Sequence, residues 1–460
     1  ARASQWMEEN IPLFECSQKN FEEMYYYRWW TLRKHIKETP VGYGMTEFLV
    51  NRSYADKYNL IACAIGHHIY ESRWLRNPEY LNQIIHTWYR GNEGGPMAKM
   101  TKFSSWNADA VLGRYMVDGN KEFLLDMVKD LEAEYARWEK TNRLPNGLYW
   151  QGDVQDGMEE SISGGRRKQY ARPTINSYMY GNAKALSLIG IMTGDEGMAM
   201  KYGLKADSIK TLVQDKLWNT DHHFFETMRG DASAEVREAI GYIPWYFNLP
   251  DASSKYTVAW KEVMDEKGFS APYGLTTAER RHPEFRTHGV GKCEWDGAIW
   301  PFASAQTLTA MANFMNNYPQ TVLTDSVYFH HMERYVESQH HRGRPYIGEY
   351  LDEVTGYWLK GDQERSRYYN HSTFNDLMIT GLIGLRPRMD NTVEVNPLIP
   401  EGKWDYFCLD NVLYHGRNLT ILWDKDGSRY QRGKGLHIYV DGKEVGHSDT
   451  LTRVLCENVL

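Results

Sequence analysis

Phe21-Glu22-Glu23-Met24-Tyr25-Tyr26-Tyr27-Arg28-Trp29-Trp30-Thr31-Leu32 is the stretch from which the fold is read. Large apolar residues at 21, 24, 25, 29 and 32, and again at Ile36, recur every three or four positions, so 19–37 reads as a helix with one buried face. The same period returns at 59–75, 78–91, 104–117, 120–139, 174–193 and 196–217, and then at about 234–247, 254–266, 297–315, 320–340 and 367–384. Most of these stretches end on Gly, Asn, Asp or Pro, as helices do. Twelve helices pair as six hairpins, which predicts a mainly α chain folded as an (α/α)6 barrel over 1–385. Near residue 386 the period drops to two, in Thr392-Val393-Glu394-Val395, Leu419-Thr420-Ile421-Leu422-Trp423 and Leu436-His437-Ile438-Tyr439-Val440. With Asp426-Gly427 and Asp441-Gly442 as turns, 386–460 reads as a small antiparallel, sandwich-like β domain.

The chain has 460 residues, 42% apolar and 25% charged, the composition of a core-forming protein with room for one large and one small domain. A formal charge of -7 argues against nucleic acid or an anionic membrane as partner, since both require a concentrated basic surface. No apolar run approaches the roughly 20 residues that span a bilayer. The opening Ala1-Arg2-Ala3-Ser4 lacks an initiator Met and leaves room for a removed leader, so a periplasmic or secreted location is expected over a cytoplasmic one. Cys16, Cys63, Cys293, Cys408 and Cys456 are scattered and odd in number, which suits small buried hydrophobes rather than a disulfide framework.

Two acidic clusters sit in the long connections 144–173 and 341–366: Asp153-Val154-Gln155-Asp156-Gly157-Met158-Glu159-Glu160 and Gly348-Glu349-Tyr350-Leu351-Asp352-Glu353. Glycosidic bonds are cleaved by two carboxyl groups flanking the scissile bond, one giving a proton and the other activating water or attacking. The chain also carries 16 Trp and 32 Tyr, whose faces stack on sugar rings and whose polar ends bond to hydroxyls. Together these features point to a sugar-cleaving enzyme acting on an oligosaccharide or glycoside. Trp245-Tyr246-Phe247 reads as core rather than as a sugar platform. The His pairs 67–68, 330–331 and 340–341 are adjacent in sequence and lack the i,i+3 or i,i+4 spacing of a zinc site. No metal or nucleotide cofactor is expected, with calcium on Asp352 and Glu353 the one alternative.

Three segments in order resemble the α/α-barrel glycosidases grouped around glycoside hydrolase family 63, the mannosylglycerate hydrolases and the trehalases. Asp156-Gly157-Met158-Glu159-Glu160-Ser161 is similar to their S-G-[WLM]-D-[ND]-S segment, with Glu159 at the general-acid position. Glu294-Trp295-Asp296-Gly297-Ala298-Ile299-Trp300-Pro301 is similar to Y-W-R-G-P-I-W-P, which opens an inner helix beside the sugar. Glu349-Tyr350-Leu351-Asp352-Glu353-Val354-Thr355-Gly356, followed by Tyr369-Asn370-His371-Ser372-Thr373-Phe374, resembles E-N-Y-N-P-x-T-G and then F-S-W, whose first Glu is the general base. The chain departs in carrying Glu rather than Asp at 159, no Pro after Gly297 and no Asn after Glu349.

The resemblance implies an exo-acting, anomer-inverting glycosidase of α-linked sugars, with Glu159 as acid and Glu349 as base. Asp156 and Glu160 compete for the first role, and Asp352 and Glu353 for the second. Tyr149, Trp150, Trp295, Asp296, Trp300, Arg344, Tyr369 and His371 are the expected substrate-binding residues. Cations at His340, His341, Arg342 and Arg344 are expected to hold the Glu349 carboxyl low, as a base requires. The segments Tyr25–Trp30 and Gly66–Trp74 are expected to face the same cavity. Two other classes stay open: a polysaccharide lyase built on Tyr170, Arg172, His371 and Arg367, and a phosphorylase or sugar-binding protein using Arg342 and Arg344.

Overall fold

A computed structural model describes residues 2–460. Six helical segments, Ile65–Ser72, Asn107–Asp118, Pro173–Thr193, Ile243–Tyr246, Pro301–Asn317 and Asn375–Leu377, pack one against the next until the sixth meets the first, closing a ring. Outside it run Lys19–His35, Pro78–Arg90, Lys121–Asn142, Glu196–Leu212, the pair Ser254–Thr257 and Val258–Val263, and Asp325–Ser338. This is the α/α barrel that the helical period predicted.

The two layers differ in how they are buried. The outer Lys121–Asn142 buries a single stripe at Leu124, Met127, Leu131, Tyr135 and Trp138. The inner Pro173–Thr193 and Pro301–Asn317 are buried on nearly every face. The predicted helices at 234–247, 254–266 and 367–384 are real but short, with 3-10 or π turns making up much of each. Over 59–75 only Ile65–Ser72 is α-helical.

The ring is closed by a carboxylate. Glu71, on the first inner segment, accepts the backbone N–H groups of Phe374 (2.9 Å), Asn375 (3.0 Å) and Asp376 (2.7 Å), which begin the last. These N–H groups have no partner within their own helix, so an acid there acts as a cap. Arg73 returns the contact, meeting Asp376 at 2.8 Å, and Trp74 donates to the same carboxylate at 2.7 Å. Tyr25 and Trp29 belong to the barrel core, while His67 and His68 bond the carbonyls of Phe302 and Asn370. The expectation that 25–30 and 66–74 face the cavity of the acidic loops is therefore corrected: none of them lines it, and His67, His68, Glu71, Arg73 and Trp74 tie the inner segments together.

The C-terminal part forms a five-stranded antiparallel sheet in the order Leu13–Cys16, Tyr406–Tyr414, Arg417–Asp424, Gly435–Val440, Lys443–Ser448, with a three-stranded sheet from Leu385–Arg386, Val393–Val395 and Val454–Cys456. The first strand of the large sheet comes from the N-terminus and lies against 406–414 in register Leu13 to Asp410. Asp441 and Gly442 both have positive φ, 49° and 81°, as a tight two-residue hairpin requires. Among the described residues no helix is long and apolar enough to cross a membrane.

Candidate active site

The connections that precede five inner helices gather at one end of the barrel around a cavity of about 350 Å³. Cys63 precedes the helix at 65, Phe103 that at 107, Glu159 lies on the way to 173, Trp300 caps 301, and His371 precedes 375. Helix N-termini point unpaired N–H groups and positive dipole ends at such a site, which favours carboxylates and polar ligands. A larger hollow, about 580 Å³, opens at the opposite ends of the same helices. Its buried groups are already paired, Arg73 with Asp376, Tyr70 with Asp109 and Arg386 with Asn313, so it offers less chemistry despite its size.

Glu159 and Glu349 both line the smaller cavity. The turn carrying Glu159 is fixed from beneath by Asp156, which is fully buried and takes Arg172 Nε at 2.7 Å, the Thr174 hydroxyl at 2.5 Å and the Ser104 hydroxyl. Next to it, Gly157 (φ 71°) passes so close to Cys63 that a Cβ would sit 2.3 Å from Sγ, so only glycine fits. Burial pushes the Glu159 carboxyl up to about 7, and the neighbouring charge of Glu349 adds to the effect. Asp156 thus anchors the turn and does not line the cavity. Glu160 turns outward to Arg166 (3.7 Å), Lys292 (3.8 Å) and His288 (4.0 Å).

Glu349 is buried, with Arg365 at 3.8 Å and no hydrogen bond to its Oε2. Burial raises its carboxyl above the ordinary value, opposed by Lys360, Arg365 and Arg52. The expected cationic support from 340–344 is corrected on both counts. The shift is upward, and the cations come from elsewhere, because His340–His341 and Arg344–Pro345 form a hairpin on which Arg344 is exposed. Asp352 caps its own turn, accepting the N–H groups of Val354 (2.9 Å) and Thr355 (2.8 Å), and Glu353 lies 3.7 Å from Arg286; neither lines the cavity. The one group of three metal-capable side chains among the described residues is His222, Glu226 and Glu235.

Of the expected substrate-binding residues, Trp300, Tyr369 and His371 line the cavity. Trp300 is stacked between Trp295 (4.7 Å, 22°) and Tyr350 (4.5 Å, 16°), so Trp295 stiffens the wall from behind. Asp296 is fully buried and holds the connection before it through the N–H groups of His288 (3.0 Å) and Gly289 (2.8 Å). Tyr149 is in the core and Trp150 sits in a two-residue strand paired with 170–171, so the structure removes both from the site, along with Arg344. Trp245 remains in the core, as expected.

Sequence reasoning missed Glu47, Arg52, Tyr54 and Arg365, polar side chains that also line the cavity. Glu47 had a signal: it is the lone acid in Met45-Thr46-Glu47-Phe48-Leu49-Val50, where a charge among apolar residues marks a buried, partnered or reactive group. Burial holds its carboxyl up to about 8, and the Tyr369 hydroxyl donates to it at 3.1 Å.

Residues 57–372 match the family model of the mannosylglycerate hydrolase MGH1-like glycoside hydrolase domain, and 385–447 that of the C-terminal domain of glycosyl hydrolase family 65. A solved structure named sialidase is 84% identical over 100% of this chain with a TM-score of 0.99, and this chain spans 42% of that protein's length. Two distant structures share the fold at 11% identity. The GH63 mannosylglycerate hydrolase from Thermus thermophilus in complex with glucose has a TM-score of 0.57 and matches 73% of this chain and 95% of its own. The GH78 rhamnosidase of a Bacillus species has a TM-score of 0.62, matching 94% and 42%.

Proposed function

We propose that this chain, which belongs to the MGH1-like glycoside hydrolase family, is an exo-acting glycosidase that inverts the anomeric centre, with Glu159 as proton donor and Glu349 as the base that activates water. The observation that carries this reading is that the two acidic loops, distant in sequence, contribute one carboxyl each to a single aromatic-walled cavity.

The two environments divide the roles. Glu159 is held up to about 7 and so keeps its proton near neutral pH, ready for the leaving oxygen. Glu349 has Arg365 beside it, which favours the ionised form that a base needs. Trp300, held between Trp295 and Tyr350, presents its edge to the cavity as part of a rigid aromatic wall. A cavity near the small end of ligand pockets suits a terminal sugar better than the middle of a chain. In an inverting enzyme the two carboxyls stand about 6.5–9.5 Å apart, leaving room for the water between base and sugar.

The lyase set is dispersed. Arg172 is spent on Asp156 and Arg367 meets the Tyr368 hydroxyl at 3.1 Å, leaving His371 alone in the cavity. The sialidase name belongs to a protein more than twice as long, so its activity is not carried over here. The test is proton NMR of the first anomer released from a panel of aryl glycosides. Release of the opposite anomer supports the reading; retained configuration, or an unsaturated ultraviolet-absorbing product, sinks it.

A further inference from the structure

The cavity holds a third carboxyl that the acid and base roles do not use. Residues 46–47 are clipped to 370: Asn370 donates its N–H to the Glu47 carbonyl and its side-chain amide to the Thr46 carbonyl, both at 3.0 Å. This clip sets Glu47 beside Tyr369 and His371. Tyr369 bonds Glu47 Oε2 and packs edge-on against the His371 ring, with centroids 4.2 Å apart. Glu47 is 5% exposed and His371 4%. Among the described residues both ring nitrogens of His371 are buried without a hydrogen-bond partner, and Glu47 takes a hydrogen bond from the Tyr369 hydroxyl on Oε2 while lining the cavity. A buried polar atom without a partner costs about 1–3 kcal/mol, so this wall is made to be completed by whatever fills the cavity.

We propose that Glu47 and His371 bind two hydroxyls of the sugar ring. With Glu47 as a carboxylic acid and His371 as a neutral imidazole, each group offers one donor and one acceptor, which matches a hydroxyl. The proposal rests on the glycosidase reading and adds Glu47 to the residues that hold the sugar in that site. Arg52, Lys102, Arg166 and Arg365 line the same cavity, so the wall formed by Glu47, Tyr369 and His371 is its uncharged side.

The charge state follows from the surroundings. Burial, reinforced by Glu349 and Glu159, keeps the Glu47 proton on to about pH 8. Burial lowers His371 well below its ordinary value and raises Tyr369 and Cys63 well above theirs, with Cys293 pushed up to about 12. Burial, with Lys99 adding to the effect, lowers Lys102 from its ordinary value, and Lys102 and Arg166 lie on the facing loops.

The test is kcat/KM against pH on the 4-nitrophenyl glycoside that the protein cleaves fastest, chosen from hexosides, deoxyhexosides, pentosides, the glucuronide and the N-acetylneuraminide. Glu159 and Glu47 must both be protonated, so log kcat/KM of the wild type falls with a limiting slope of about −2 above pH 8. Glu47→Gln keeps donor, acceptor and shape, so it retains activity at pH 6 within about fivefold and falls with slope about −1. Glu47→Ala and His371→Ala raise KM by roughly 10–100-fold, the loss of one or two hydrogen bonds to buried groups. Equal slopes in wild type and Glu47→Gln overturn the proposal. Because Glu47→Gln is isosteric, the slope comparison stands even where the alanine variants fail to fold. If instead Glu159→Gln and Glu349→Gln keep full turnover, it is the acid and base assignment that fails.

Discussion

Glu71→Gln tests whether one carboxylate closes the ring of inner helices. Glu71 accepts three backbone N–H groups at 2.7–3.0 Å, all buried. Hydrogen bonds to a charged acceptor contribute about 1.5–3 kcal/mol each, set against the cost of burying the charge. Glutamine keeps one acceptor oxygen but turns an N–H group toward the remaining donors, so one or two N–H groups lose their partner. The expected loss is about 3 kcal/mol, the lower end of the range for breaking a buried charged network. At roughly 2.1 cal/mol/K per residue, a chain of this length unfolds with an entropy near 1 kcal/mol/K, so scanning calorimetry should show Tm lower by about 3 °C. The same substitution should raise KM, because the capped N–H groups start three residues after His371. A Tm within 1 °C of wild type would show that the three bonds are replaceable by water and that the ring closes by apolar packing alone.

Other expectations follow from the site. Activity should fall on both sides of an optimum: as pH rises through about 7, Glu159 loses the proton it must donate, and as pH falls through the burial-raised value of Glu349, the base is protonated; kcat/KM profiles check both limbs. Glu159→Gln should slow glycosides with poor leaving groups by about 10²–10⁴-fold while sparing a dinitrophenyl glycoside, whose leaving oxygen needs no proton. Asp156→Asn removes the anionic partner of a fully buried guanidinium and should destabilise by about 3–5 kcal/mol, read as a shift in denaturant midpoint. Arg344→Ala, on an exposed hairpin, should leave kcat/KM within about twofold.

Much of the fold was legible because helical period depends on local burial, and the barrel buries one stripe of each outer helix. Where helices are short and begin or end in 3-10 or π turns, as at 239–246 and 375–382, apolar residues are still buried but the period overstates the α-helical length. The edge strand Leu13–Cys16 is a four-residue segment whose partner lies almost 400 residues on, and nothing local announces it. In the site, Glu159, Glu349, Trp300, Tyr369 and His371 were reached through motif order. Tyr149, Trp150 and Arg344 were expected from nearness in sequence, which says little about direction: a hairpin carries Arg344 outward within five residues of Glu349. Glu47 was passed over because a single acid in an apolar run has no spacing pattern, and only tertiary packing brings it to Tyr369.

The most direct check on a base and an acid sharing one cavity is the turnover of Glu349→Gln on an aryl glycoside that the wild type cleaves. Glutamine keeps the shape of the side chain and abolishes its basicity, so kcat should drop by about 10³–10⁴-fold. A rate within tenfold of wild type contradicts a water-activating role for Glu349, and with it the pairing to Glu159.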